Sequence, residues 1–218
     1  RGPVPVQKDP FIIRAELFEG QKTAYFLDHA QNRHRLRRTG GHRRGLDLFS
    51  YSGSWGMELL YAGADHVEFV DTDSSALELA KQNVRENGWI QKASFYCLDA
   101  FDYLEEALDR SRDYNVIVLD PPAFAHSSDQ LDQARKGYHG LHYRAMRLLK
   151  PSGLLSSGSC TQPLTIDDFQ RIHQKSAHDA HLSCQVLEQR VQAPDHPWRI
   201  SDSRARYLKW MLTHVRLV

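Results

Sequence analysis

Apolar positions along this 218-residue chain fall into two alternating rhythms. Short dense runs recur at Leu46–Phe49, Val67–Val70, Ala93–Leu98, Tyr114–Leu119 and Gly153–Gly158. Runs of that length, apolar at nearly every position, predict strands buried on both faces. Between them the period lengthens to that of a helix. Met57–Ala62, Ser74–Asn87, Tyr103–Leu108, Leu131–Leu149 and Ile166–Ala180 read as helices. The clearest is Ser74–Asn87: Asp73 or Ser74 caps it, Ala76, Leu77, Leu79, Ala80 and Val84 give an apolar stripe, and Gly88 ends it. Pro151-Ser152-Gly153 reads as a turn, and Cys184–Arg190 and Tyr207–Leu217 as closing strands. Strands alternating with helix-length segments predict an α/β fold, a doubly wound Rossmann-like sheet over residues 41–218.

Residues 1–40 read as a distinct β-rich lead-in. Arg1–Pro10, with three prolines, reads as a linker. Phe11–Phe18 and Thr23–Leu27 read as two short strands with a turn at Glu19–Lys22, followed by a helix from Asp28 to Arg38. The chain begins at Arg1 without a Met, so we expect a fragment that lacks a preceding domain.

Composition narrows the picture only a little. A hydrophobic content of 41% supports a full core, and a net charge of +1 announces no polyanionic partner. Charge is unevenly spread, however. Residues 33–44 hold six arginines, two histidines and no acid. That segment is either a solvated surface or a phosphate-contacting patch, with Arg35, Arg37 and Arg38 the candidate RNA contacts. Three cysteines without metal spacing favour a reducing compartment, and no apolar run spans a bilayer, so a cytoplasmic protein without a membrane or metal site is expected.

The candidate chemistry sits at strand ends. Asp47-Leu48-Phe49-Ser50-Tyr51-Ser52-Gly53-Ser54-Trp55-Gly56 runs from a strand through a glycine turn into a helix, and the next strand ends on Asp71. Such a βαβ unit binds a nucleoside-bearing cofactor: glycines admit close backbone approach, and the acid accepts from a ribose diol. The full dinucleotide glycine spacing is missing, which disfavours a nicotinamide enzyme. Asp99, after the third core strand, can accept from an adenine amine while Ala100 or Phe101 packs on the ring. Asp71, Asp99 and Asp120 place three acids at three strand ends, an arrangement suited to S-adenosylmethionine. Asp120-Pro121-Pro122-Ala123-Phe124 makes a rigid shelf, on which Phe124 is the candidate stacker for a planar base.

These segments, with Gln21–Asp28, Asn32-Arg33, Lys136-Gly137-Tyr138, Ser159-Cys160 and Asp195-His196-Pro197, occur in an order that resembles the 23S rRNA cytosine-5 methyltransferases of the large-subunit methyltransferase I type. The resemblance covers nearly the whole chain from about Phe11. It implies a class I methyltransferase domain, S-adenosylmethionine as cofactor, and methylation of C5 of a cytidine in large-subunit rRNA. Ala24 stands where the family usually has Gly, His29-Ala30 where it has Gln-Arg, and Thr161-Gln162-Pro163 where Ser and His are common. Family members usually carry an N-terminal RNA-binding PUA domain, which this sequence does not contain. The cofactor contacts expected are Tyr25, Asp47, Phe49, Ser50, Tyr51, Gly53, Asp71, Asp99, Ala100 and Asp120. A homodimer is also an expectation.

C5 of cytosine is a poor nucleophile. Addition of a thiolate at C6 makes C5 enamine-like and able to take a methyl group; loss of the C5 proton and of the thiolate restores the ring. Cys160, in a polar Ser-Gly-Ser-Cys-Thr-Gln loop, is the expected nucleophile, and Asp120 is expected to bind the N3/N4 edge. Cys97 and Cys184, inside strand-like runs, are expected to be buried structural thiols. Two rivals remain: a guanine-N7 or exocyclic-amine methyltransferase, which needs no nucleophile, and a non-catalytic RNA-binding factor with the same fold.

Overall fold

The computed structural model describes residues 3–8, 10–15, 25–40, 43–202 and 205–217. Nine strands and six helices run in the order β1 (Val4–Lys8), β2 (Phe11–Ala15), α1 (Ala30–Arg37), β3 (Arg44–Leu48), α2 (Ser54–Tyr61), β4 (His66–Asp71), α3 (Ser74–Glu86), β5 (Ala93–Cys97), α4 (Ala100–Asp109), β6 (Tyr114–Leu119), α5 (Leu131–Arg147), β7 (Leu149–Ser159), α6 (Ile166–Asp179), β8 (Leu182–Arg190) and β9 (Lys209–Leu217) among the described residues.

The main sheet has seven strands in the order β5-β4-β3-β6-β7-β9-β8. The first five are mutually parallel, and β9 runs antiparallel to both β7 and β8. The chain winds outward from β3 through β4 to β5, then returns to β6 on the other side of β3. The carboxyl ends of β3 and β6 thus flank a topological switch point, where ligands bind in sheets of this kind. Leu46, Leu48, Val116, Ile117, Val118 and Leu119 are fully buried, as central parallel strands require. Apolar stripes from helices on both faces cover them, one centred on Met57, Leu59 and Val84, the other on Leu104, Leu141 and Met146.

The lead-in departs from the sequence reading. Val4–Lys8 is a strand paired antiparallel with Phe11–Ala15, not a linker. Proline is tolerated there because the hairpin's outer strand need not donate every N–H. Phe11, Ile13 and Ala15 point inward, and Asn83 of α3 and Asn87 just beyond it bond the backbone of Arg14 and Ile12. Phe11, Ile13, Tyr25 and Leu36 join the same core cluster as Met57 and Trp210, so the described part of residues 1–40 packs into the main domain. The expected turn at 19–22 and most of the expected strand at 23–27 lie outside the described residues; Leu27 opens a short 3-10 turn through His29.

Elsewhere the elements match with shifted ends. Asp73 caps α3, and Gly88 takes φ +77° just beyond it. Pro151-Ser152-Gly153, expected as a turn, lies within β7, where pairing with β6 changes register and Ser152 takes φ +67°. Helix α4 begins at Ala100, earlier than expected, because Asp99 caps it.

Candidate active site

The glycine turn after β3 is a compact, strained piece of backbone. Phe49 and Tyr51 have φ +61° and +47°, and Gly53 takes +83° as it opens α2. Positive φ at two non-glycine residues in one turn stores strain, a mark of functional loops. Gly56 is required sterically: a Cβ there would lie 2.2 Å from the Phe69 ring. Asp47, expected among the cofactor contacts, lies fully buried beneath this turn and accepts the Gly56 N–H at 2.8 Å. Burial pushes its carboxyl up to about 8, against the Gly56 hydrogen bond and with the negative charges of Asp120 and Asp71 adding to the rise. Asp47 therefore holds the turn from below, its carboxyl held above the ordinary carboxylate range by burial.

The rim residues are prearranged. Asp71 accepts the Tyr51 N–H at 2.8 Å and the Asp73 N–H at 3.0 Å, one on each carboxylate oxygen, leaving further lone pairs for a ribose diol. Asp99 accepts the Phe101 N–H at 2.7 Å at the start of α4, with Ala100 buried beside it. Ser50 closes the turn, its carbonyl accepting the Gly53 N–H, while its own N–H reaches Val70. The buried Ser50 hydroxyl has no partner among the described residues. Tyr25 is buried under the Arg33 guanidinium, 4.4 Å from its ring centroid. A strained turn, two oriented carboxylates and an unpartnered hydroxyl fit an adenosyl cofactor. Asp71 and Asp99 would hold its ribose and adenine, and the Phe49–Gly53 turn the rest.

Asp120, just after the end of β6, is engaged from two sides. It accepts from Trp55 Nε1 at 2.9 Å and lies 3.2 Å from His29 Nε2. Burial alone would raise its pKa, but the charge and hydrogen bond of His29, the Trp55 bond and the charge of Arg33 together hold the carboxyl below its ordinary value. Asp120 is therefore a carboxylate at neutral pH. A Cβ on Gly158 would lie 2.8 Å from one of its oxygens, so the end of β7 must approach closely. His29, Trp55 and Thr161 are the residues that sequence reasoning missed. His29 was visible only as a departure from the family pattern, and nothing local signals that Trp55 points at an acid 65 positions away.

Cys160 follows β7 directly and is half-buried. Its loop is tied to the Asp120-Pro121-Pro122 loop: the Thr161 hydroxyl accepts the Phe124 N–H at 3.0 Å and meets the Tyr138 hydroxyl at 2.9 Å, which Ser159 also reaches. The Phe124 ring packs 4.6 Å from that of Tyr138 and against Gly137, so one of its faces is already occupied. The other thiols depart from expectation in part. Cys97 is exposed, not buried, because it stands at the open end of β5. Cys184 is half-buried, and burial pushes its thiol up to about 11.

The arginine segment divides. Arg35 pairs with Glu188, and Arg37 lies 3.6 Å from Glu58 and over the Tyr61 ring. Arg38 is exposed beside an open cleft lined by Pro10, His34, Arg37 and Tyr61. No metal-holding cluster of three acidic, histidine or cysteine side chains occurs among the described residues, and none of their helices is long and apolar enough to cross a membrane.

The sheet order, with its switch-point rim, strained turn and acids at the tips of β4 and β6, is the Rossmann-like fold of the class I methyltransferases. The chain belongs to the family described as Conserved hypothetical protein 95, which matches residues 24–181. It is 37% identical over 225 residues to the ribosomal RNA large subunit methyltransferase I of Cronobacter sakazakii, covering 99% of this chain and 57% of that protein. The enzyme of the same name from Aeromonas salmonicida is 36% identical, with coverage of 98% and 54%. The chain thus spans about half the length of the curated relatives it matches. Among solved structures, a methyltransferase complexed with SAH superposes with a TM-score of 0.86 at 22% identity, over 97% of this chain and 56% of that one. A SAM-dependent methyltransferase from Streptococcus mutans gives the same TM-score and identity, over 98% and 56%.

Proposed function

We propose that this chain transfers a methyl group from S-adenosylmethionine to C5 of a cytidine in large-subunit rRNA, with Cys160 as the nucleophile. The observation that carries this reading is the tie between the two loops. Thr161 holds the Cys160 loop against the Asp120-Pro121-Pro122 shelf, so a nucleophile and an ionised acceptor share one rim beside the Phe49–Gly53 turn. The name of the relatives supports the substrate class.

Bound S-adenosylmethionine supplies an electrophilic sulfonium methyl. Asp120, held ionised, accepts from the exocyclic amine of the cytosine and fixes the ring against the shelf. Cys160 adds through sulfur to C6, and the ring electrons move to C5, which takes the methyl. The C5 proton then passes to a base, and the S–C6 bond breaks to return the Cys160 thiolate. On the same reading, the half-buried Phe124 ring stacks on RNA, and Arg38 beside its open cleft contacts phosphate.

The test is transfer of labelled methyl to large-subunit rRNA from a strain lacking the gene, followed by nucleoside analysis. We expect 5-methylcytidine with the wild type and none with Cys160→Ala, which should still bind S-adenosylhomocysteine. Full methylation by Cys160→Ala would favour the exocyclic-amine or guanine-N7 reading. Binding of RNA without any transfer would favour the non-catalytic factor.

A further inference from the structure

Lys209 opens β9 directly opposite Ser159, the residue before Cys160, in the antiparallel ladder between β7 and β9. Its side chain is only 5% exposed. Nζ donates to the carbonyl of Thr161 at 2.6 Å and to that of Tyr207 at 2.7 Å. An ammonium has three N–H groups, so one is left after these two bonds. Among the described residues no carboxylate forms an ion pair with it. A buried cation that bonds only neutral carbonyls is costly unless an anion stands nearby. The carbonyl it grips belongs to the residue immediately after Cys160, so its charge lies against the loop that carries the thiol.

We propose that Lys209 is the positioning residue that holds Cys160 as a thiolate. This rests on the reading of Cys160 as the nucleophile and adds its activation. The proton balance is simple. Cys160 gives its S–H proton to solvent, and the Lys209 ammonium, already charged, stabilises the thiolate left behind. The thiolate attacks C6. When the S–C6 bond breaks at the end of the cycle, the sulfur leaves with its electron pair and meets the same ammonium, so no further proton is needed.

The electrostatics around the thiol agree. Burial pushes the Lys209 ammonium down to about 8, and the charge of Cys160 pulls it back up. A lysine in that range is still largely an ammonium at pH 7 and lowers the cost of a nearby thiolate. The other titratable groups coupled to Cys160 are Tyr138 from α5, pushed up to about 12 chiefly by burial, and Tyr207 ahead of β9. Tyr207 donates to Asp28 at 2.5 Å and is coupled to Asp195, and both keep it protonated, while Asp120 acts on Tyr138 in the same direction. Lys209 is thus a cation coupled to the thiol.

The test measures the thiol itself. Wild type, Lys209→Met and Lys209→Arg are alkylated with iodoacetamide across pH 5 to 10, and modification of the Cys160 peptide is followed by mass spectrometry. In the wild type the rate should inflect below the ordinary thiol value of about 8.5. In Lys209→Met, which keeps the stem and removes the charge, the inflection should rise so that alkylation at pH 7 falls about tenfold or more. Lys209→Arg should return it toward the wild type. Superimposable profiles for wild type and Lys209→Met would overturn the proposal. So would a wild-type inflection at or above about 8.5, which decides the matter even if the Met variant does not fold. Failure of the nucleophile reading looks different: no covalent complex forms with 5-fluorocytidine RNA, although the wild-type inflection is low and shifts in Lys209→Met.

Discussion

Asp71 shows how much a single side chain is asked to do. It receives two backbone N–H groups, from Tyr51 and Asp73, which fix its orientation before any ligand arrives. A ribose diol bonded to such a carboxylate meets a charged acceptor needing no rearrangement. We expect Asp71→Ala to weaken S-adenosylhomocysteine binding by about 1.5–3 kcal/mol, roughly 10- to 150-fold, in isothermal titration. Unchanged affinity would remove Asp71 from the cofactor site. The acids at strand ends were legible in the sequence because a strand-terminal acid is a local pattern. The partners of those acids were not. His29 meets Asp120, Thr161 meets Phe124 and Lys209 meets Thr161 across long stretches of chain, and only the strand order brings them together. Asp47 was legible as important but not as a fully buried acid beneath the turn, since burial is a tertiary property.

Helices α5 and α6 carry a buried histidine pair behind the Cys160 loop. His142 bonds the Tyr138 carbonyl and Ser157 Oγ, both at 2.6 Å, and its ring lies 4.3 Å from that of His173. Burial pushes both below the ordinary histidine value, His173 to about 4. The sign follows directly. The unfolded chain takes up a proton near pH 6.5, while folded His173 resists until about 4. Stability present above 6.5 is lost as pH falls toward 4, by about 3 kcal/mol for His173 at about 1.4 kcal/mol per tenfold change in proton affinity. Urea midpoints at pH 7.5 and 4.5 should therefore differ less in His173→Gln than in the wild type. An identical pH dependence would show that His173 is not held neutral. At this scale the sequence was readable wherever apolar period and caps agreed, as in α3. It misled where proline suggested a linker. Pro5 sits in β1 opposite Arg14, on a hairpin whose exposed Val4 and Val6 give no hint of a core-facing partner strand.

At the scale of the molecule, winding the sheet outward from β3 in both directions creates one rim and assigns it two tasks. On the proposed reading the turn after β3 and the tip of β4 face the cofactor, while the ends of β6 and β7 carry the acid and the thiol. Antiparallel β9 supplies the cation behind that thiol, an arrangement that no periodicity along the chain reveals. The doubly wound fold was legible because its strands and helices alternate so regularly. The places of Asp71, Asp120 and Cys160 on that rim were legible, since each ends or follows a strand. The central claim is that Cys160 bonds C6 of a cytidine, and the most direct test is a trap. Large-subunit rRNA containing 5-fluorocytidine, incubated with the protein and S-adenosylmethionine, offers a ring from which fluorine cannot leave as a proton does. The account predicts a stable complex of protein and RNA that survives denaturation, maps to the Cys160 peptide and is absent with Cys160→Ala. A complex that persists in Cys160→Ala, or none with a wild type that makes 5-methylcytidine, would contradict it.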